Sequence, residues 1–192
     1  SVIFDKEGYI TPFDYGAIAV LYNPEKIEPL VKFEDLWKYD KKLIIQDPRT
    51  SSTGLDFLIW TVGLYGENWK NQWKNLKKGV LTATSGWNEA FAKFESGEAP
   101  MMISYATDPA YSFENYASLK YKVFIPDEGA YVQIEGSGIV KGTKNFELAS
   151  KFVDFTLTEE FQKEIPLNQW MFPVTDVKLP DSFEYAVNPE KI

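Results

Sequence analysis

The chain has 192 residues, 44% of them apolar and 16% aromatic, which is ample for a packed core and too apolar for a disordered segment. Its formal net charge of -8 and pI near 4.7 exclude the basic footprint that nucleic acid requires. With no His and no Cys, it lacks the commonest proton shuttle, thiolate nucleophiles, disulfides and the usual zinc ligands, which favours binding over catalysis.

No apolar run approaches the length of a membrane span. The chain starts at Ser1 without Met and passes directly into Val2-Ile3-Phe4, the pattern of a processed or truncated chain with further sequence upstream. Pro12 and Gly16 flank Phe13-Asp14-Tyr15 and predict a stiff extended segment with a flexible joint. Residues 17–22 predict a buried strand, stopped by Asn23-Pro24-Glu25. A short helix is expected over residues 34–39 and a strand over 43–46, after which Asp47-Pro48-Arg49 turns the chain.

Leu55, Leu58, Ile59 and Val62 recur at helical spacing and predict a helix over residues 53–65. A second helix over 67–78 places Trp69, Trp73 and Leu76 on its apolar side, and Trp60, Trp69 and Trp73 read as core residues. A strand at 80–84, a helix at 87–95 and a strand at 101–103 follow. Asp108-Pro109 reads as a helix start, with Asp as cap and Pro in the first turn. Strands are expected at 121–125 and 131–134, with Gly136, Gly138 and Gly142 loosening the segment around Ile139-Val140. Residues 146–157 predict an amphipathic helix, Thr158-Glu159-Glu160 opens another that Pro166 ends, and the tail from Lys178, with Pro180 and Pro189, reads as irregular. There is no internal repeat, and strands alternating with helices give an α/β class.

Several candidate binding residues fall at strand-to-helix junctions, where ligand crevices of open α/β sheets lie. Thr50-Ser51-Ser52-Thr53-Gly54 opens a helix, whose unpaired N–H groups together with the Ser51 and Ser52 hydroxyls suit a phosphate, carboxylate or ligand hydroxyl. Plain N-capping explains such a run equally well. Trp87 follows Ser85-Gly86 at a first helical turn, where a core Trp is less natural than a ligand-stacking one. Tyr105 and Tyr111 bracket another junction and offer flat faces with hydroxyls. Asp108 between them reads first as a helix cap and second as an acceptor for a ligand amine. Trp170, in the loop Asn168-Gln169-Trp170-Met171-Phe172-Pro173, is poorly explained by core packing.

Enzyme readings fare worse. Asp47, Glu89 and Asp108 could supply carboxylates for a hydrolase, but nothing in their spacing singles them out among 28 acidic residues. Ser51 has no His and no Ser-x-x-Lys pattern, Gly136-Ser137-Gly138 lacks the third Gly of a dinucleotide loop, and carboxylate metal binding has no support. A pure interaction domain would instead pack Trp87 and Trp170 against a partner chain.

At these residues the sequence resembles the thiamine-binding periplasmic proteins of bacterial ABC transporters. The matching blocks are Thr11-Pro12-Phe13-Asp14-Tyr15-Gly16, Gln46-Asp47-Pro48-Arg49-Thr50-Ser51, Ser85-Gly86-Trp87-Asn88-Glu89-Ala90, residues 104–111 and residues 168–174, in order and at agreeing spacing. The resemblance implies a periplasmic-binding-protein-like (type II) α/β fold, with a ligand cleft between two lobes and an ABC permease as partner. It implies thiamine or a thiamine phosphate as transported ligand, with no cofactor and a periplasmic or otherwise extracytoplasmic location. It places Ser51 and Ser52 near the hydroxyl or phosphate end of the ligand, and Trp87, Tyr105, Tyr111 and Trp170 around its pyrimidine and thiazolium. Asp108 departs from the family pattern, in which a small uncharged residue stands there. The family's chains are longer, so the resemblance also implies that an N-terminal lobe lies outside this sequence. Residues 1–16 would then lead into the hinge, residues 17–134 form the second lobe, and residues 135–192 return through the hinge with a remnant of the first lobe and the tail.

Overall fold

A single long strand, β1 (Ile10–Tyr22), organises the computed structural model. The model describes residues 5–188; Val2, Ile3, Phe4 and Pro189 of the sequence reading lie outside the described residues. After β1 and a 3-10 turn (Phe33–Trp37) come β2 (Leu43–Gln46), α1 (Ser52–Tyr65), α2 (Trp69–Gly79), β3 (Val80–Thr84) and α3 (Trp87–Glu95). They are followed by β4 (Met101–Tyr105), α4 (Asp108–Tyr116), β5 (Lys122–Phe124) and β6 (Val132–Gly138). The chain closes with α5 (Phe146–Thr156), α6 (Glu159–Gln162), α7 (Ile165–Asn168), β7 (Phe172–Pro173) and a 3-10 turn (Asp181–Tyr185).

β1 belongs to two ladders. Its second half pairs antiparallel with β4 (Ile18 to Tyr105, Tyr22 to Met101) and with β5, extending the sheet order β3-β2-β4-β1-β5. Its first half pairs antiparallel with β6 from Ile10 to Ala17, and Asp14 and Tyr15 also pair with β7. Residues 17–21 are buried without exception because this stretch is covered on both faces, the condition under which a strand reads as a continuous apolar run. β2 runs parallel to both β3 and β4, so these three strands end at the same edge of the sheet. The junctions anticipated at Gly16/Ala17 and Ile134/Glu135 fall inside β1 and β6.

The main core packs between this sheet and α1 and α2, around Ile18, Val20, Leu36, Leu43, Phe57, Trp60 and Ile103. Fully burying a side chain of this size stabilises the fold by about 1.5–3 kcal/mol. On the opposite face α3 contributes Ala90 and Phe94 against Leu21, Ile44 and Met102.

Several expectations are corrected. α1 forms as predicted, but Leu55, Ile59 and Val62, whose spacing signalled it, are exposed; Thr53, Gly54, Phe57, Trp60 and Thr61 are the buried face. The helix is apolar nearly all round, and the larger rings Phe57 and Trp60 win the sheet side through a stacked contact of Phe57 with Phe33 and edge-on contacts of Trp60 with Phe33 and of Phe57 with Trp73. Trp69 stays outside the core, half-buried beneath the Lys70 ammonium, whereas Trp73 packs on the core and its indole N–H donates to Thr61 Oγ1 at 2.8 Å. Gly16 lies within β1, paired with Gln133, and not in a free loop; an added Cβ would come within 2.7 Å of the Met171 sulfur. Gly136 and Gly138 extend β6 beyond residue 134 and do not loosen it, because their missing side chains leave room for Ile10 on β1. Pro166 opens α7 and ends no helix. The tail is ordered at its 3-10 turn, where Phe183 packs on Tyr15 and Phe172.

One buried group in β1 lacks partners. Asp14 is fully buried opposite Glu135 on β6 and Pro173 on β7, and both its carboxyl oxygens are without a hydrogen bond. Burial, and secondarily the charge of Glu135, push its pKa up to about 8. A pKa raised above its unfolded value stabilises the fold fully only below that unfolded value, and the contribution is lost as pH rises through about 8. Asp14→Asn should therefore gain on the wild type by about 1 kcal/mol or more between pH 5 and pH 8.5. Thermal unfolding at the two pH values measures this, and parallel pH dependences of the two proteins would refute it.

Candidate functional site

The shared edge where β2, β3 and β4 end carries a cavity of about 470 Å³. Its walls come from the β2–α1, β3–α3 and β4–α4 junctions, from β6, and from the loop after α7.

At the first junction Gln46, fully buried, donates from Nε2 to the Ile103 carbonyl at 2.9 Å and fixes the end of β2 against β4. Asp47 then accepts from the Arg49 N–H at 2.9 Å and from its guanidinium, which holds the Asp47 carboxyl well below the usual range, at about 2. Ser51 is the N-cap of α1 and accepts from the Gly54 N–H at 3.4 Å. Thr50 donates to the Ser85 carbonyl at 2.8 Å, tying the first junction to the second, and Thr53 shares a 2.9 Å hydrogen bond with the Tyr105 hydroxyl. Ser52, exposed at the first helical position, leaves its hydroxyl and the N-terminal end of α1 facing the cavity. Capping and binding geometry thus coexist in this run. Gly54 is obligatory here, since an added Cβ would lie 2.5 Å from the Gln46 carbonyl oxygen.

At the second junction Trp87 is the first residue of α3 and stacks on Phe91 one turn later, with centroids 4.7 Å apart and planes 15° off parallel. Its indole N–H donates to Ser104 Oγ at 2.8 Å. Glu89 accepts from the Ser85 N–H at 3.1 Å and the Ser85 hydroxyl at 2.9 Å, which lowers its pKa. Glu89 and Asp47 are thereby spent on local turns, and no carboxylate pair forms with Asp108.

At the third junction the Tyr105 hydroxyl lies between Thr53 and Gln133 Oε1, 3.0 Å away, and burial pushes its pKa up to about 12. Its ring, not its hydroxyl, is what the cavity receives. Asp108 is not the helix cap: Thr107 holds that position without a side-chain bond, and Asp108 is the first residue of α4, with Pro109 in the first turn. The Asp108 carboxylate is buried and accepts from the Tyr105 N–H at 3.3 Å and from the Ser104 side chain. Burial still outweighs those bonds and raises its pKa to about 7.

In the loop after α7 Trp170 adopts a φ of +57°, a conformation seldom taken by a bulky residue and typical of positions held by function. Its ring meets Tyr111 edge-on at 5.0 Å, and Tyr111 meets Phe91 edge-on at 5.3 Å. Trp87, Phe91, Tyr111 and Trp170 therefore form one aromatic wall. Both Trp residues and both Tyr residues of the sequence reading are half-buried: Trp87, Tyr105 and Trp170 pack against core clusters, and all four also line the cavity.

All seven residues singled out in the sequence line this one cavity: Ser51, Ser52, Trp87, Tyr105, Asp108, Tyr111 and Trp170. Sequence reasoning missed Glu135, which lines the opposite side and accepts from Gln133 Nε2 at 2.7 Å and Gln169 Nε2 at 3.4 Å. It also missed Phe91, whose position one helical turn after Trp87 was a usable signal. Asp56 in α1 is a further acid near Glu135, with its pKa raised to about 6 by burial and then by that charge. The lining carries carboxylates and neither Lys nor Arg, so it is electrostatically suited to a cation. Among the described residues no group of acidic side chains is set to hold a metal ion.

Residues 2–189 match the family model described as bacterial extracellular solute-binding protein. The chain is 41% identical over 192 residues to the thiamine-binding periplasmic protein of Brucella melitensis, covering 97% of this chain and 57% of that protein. It is 37% identical over 190 residues to the thiamine-binding periplasmic protein of Escherichia coli, covering 93% of this chain and 55% of the relative. The chain thus spans little more than half the length of these curated relatives. A solved structure named periplasmic thiamin binding protein superposes with a TM-score of 0.91 at 35% identity, over 98% of this chain and 60% of the other.

Gly54→Ala should destabilise the protein by roughly 1–3 kcal/mol, because its methyl group would meet rigid backbone and not a side chain that can turn away. Chemical denaturation measures this; wild-type stability in the variant would mean that α1 can lift off the end of β2 freely.

Proposed function

The chain belongs to the bacterial extracellular solute-binding proteins, and from that premise we propose that it captures thiamine or a thiamine phosphate for an ABC importer. The observation that carries the reading is the cavity itself: four half-buried aromatic rings and two carboxylates, without a basic residue, beside the N-terminus of α1. Thiazolium is a fixed cation, and a ring face within about 6 Å attracts it by about 0.5–2 kcal/mol. The Ser51–Ser52 end of the cavity takes the hydroxyl or phosphate of the same ligand. Trp87, Tyr105, Tyr111 and Trp170 then enclose the rings, and Asp108 and Glu135 supply the negative field. The protein acts as a carrier outside the cytoplasm and performs no chemistry on its ligand; among the described residues no helix is long and apolar enough to cross a membrane.

In this reading residues 17–134 form one ligand-binding lobe, and β1 and β6 carry the chain across the hinge. α5 exposes Phe146, Leu148, Phe152 and Phe155, and a companion lobe packs on that face. Ligand favours closure only through contacts that are better in the closed form, which the permease then recognises. Asp108 favours one alternative, a different cationic solute in the same cavity.

Calorimetric titration of thiamine, its phosphates and a panel of cationic amines tests both. Saturable binding of thiamine that weakens about tenfold or more in Trp87→Ala and in Trp170→Ala is expected. Binding of another amine with none of thiamine would transfer the function to that solute, and thiamine binding unaffected by either substitution would remove the cavity from the account.

A further inference from the structure

One carboxylate of the cavity has a place in the structure beyond the negative field it adds. Asp108 is 3% exposed, and the bonds it accepts come from the protein itself. We propose that Asp108 is a positioning residue that holds the aromatic wall in place through the Ser104 hydroxyl. This deepens the binding reading, because the wall it orders is the one the ligand would meet, but it is argued from the ligand-free protein.

The geometry is a directed relay. Ser104, fully buried on β4, accepts the Trp87 indole N–H at 2.8 Å. A hydroxyl has one proton, so with its oxygen already accepting from Trp87 that proton is donated to Asp108, with which Ser104 is hydrogen-bonded. The Asp108 carboxylate also accepts from the Tyr105 N–H at 3.3 Å, where β4 gives way to α4. Asp108 itself begins α4, which carries Tyr111 one turn later. One carboxylate thus meets the supports of two wall residues and of Tyr105 beside them: Trp87 through Ser104, Tyr111 through their shared helix, and Tyr105 through its backbone.

The relay requires an acceptor at its end. An ionised carboxylate offers only acceptor sites, and charge-assisted bonds of this kind are stronger than neutral ones. A protonated Asp108 adds a donor, competes with the Ser104 proton and frees the hydroxyl to turn. The indole would then keep its stack on Phe91, but its N–H would donate to a hydroxyl whose orientation and polarisation are no longer fixed by a carboxylate. The other titratable groups around Asp108 are Tyr105 on β4, Tyr111 on α4 and Glu135 on β6 across the cavity; no Lys or Arg lines it. With a pKa raised to about 7, the switch between the two arrangements falls in an accessible range.

The test is the Trp87 indole Nε1–H resonance in ligand-free protein, assigned by its loss in Trp87→Phe and followed by NMR from pH 5.5 to 8.5. The expected result is a single transition near pH 7, with the proton further downfield and slower to exchange on the alkaline side. Asp108→Asn should abolish that transition while the other indole signals stay in place. Should that variant fold poorly, Ser104→Ala removes the intermediate hydroxyl and must abolish it equally. Glu135→Gln should leave it intact. A Trp87 signal without a transition, or one that survives Asp108→Asn or Ser104→Ala, or is lost in Glu135→Gln, would overturn the proposal. Because no ligand enters the experiment, its failure is separable from a failure of thiamine binding.

Discussion

Main-chain pairing along β1 is the constraint from which the rest of the architecture follows. A strand that hydrogen-bonds to β4 and β5 over one half and to β6 and β7 over the other must leave no side chain in the way where the ladders meet. The composition of β1 answers that demand, with Gly16, Ala17 and Ala19 around the crossing and larger side chains further along. It also explains the buried Asp14. Held at the crossing with both β6 and β7 paired to it, its side chain is fully buried, and burial raises its pKa to about 8.

The site is a second consequence of topology. Parallel strands β2, β3 and β4 deliver their C-terminal ends to one edge, and each feeds a helix whose first turn opens there. Those junctions interlock: Thr50 reaches the Ser85 carbonyl, Thr53 reaches Tyr105, and Trp87 reaches Ser104. Side chains that look separate in sequence are thereby held as one wall before any ligand arrives. Rigid rings fixed in advance lose little entropy on binding, which is where such a cavity gains selectivity over a flexible one.

Much of this was legible in the sequence. Strands at 43–46 and 80–84 and the helix at 87–95 match their observed bounds, because their signals are local and bounded by turns. The cavity-lining residues were legible because Ser51, Trp87, Tyr105 and Tyr111 sit at strand-to-helix junctions. What failed depends on distant neighbours. Trp60 was legible as a core residue, but nothing in residues 52–65 says that Phe57 will outcompete Leu55 and Ile59, since that choice is made by Phe33 and Trp73. Glu135 joins the cavity only because β6 continues along β1 past residue 134. Ser104 matters through a bond to a residue 17 positions away, which no local pattern records.

The contact between Gly16 and Met171 links these two halves of the structure. The Met171 sulfur occupies the space that a Cβ on residue 16 would need, and Met171 also lines the cavity beside Trp170. Positions 16 and 171 are therefore not free to drift separately over evolutionary time. A side chain acquired at 16 must displace the flexible end of Met171 or be matched by a smaller residue there, and either change reshapes the cavity next to Trp170. Changes in what the protein recognises can thus arise from a substitution in the strand that supports the fold, without any change in the aromatic wall itself.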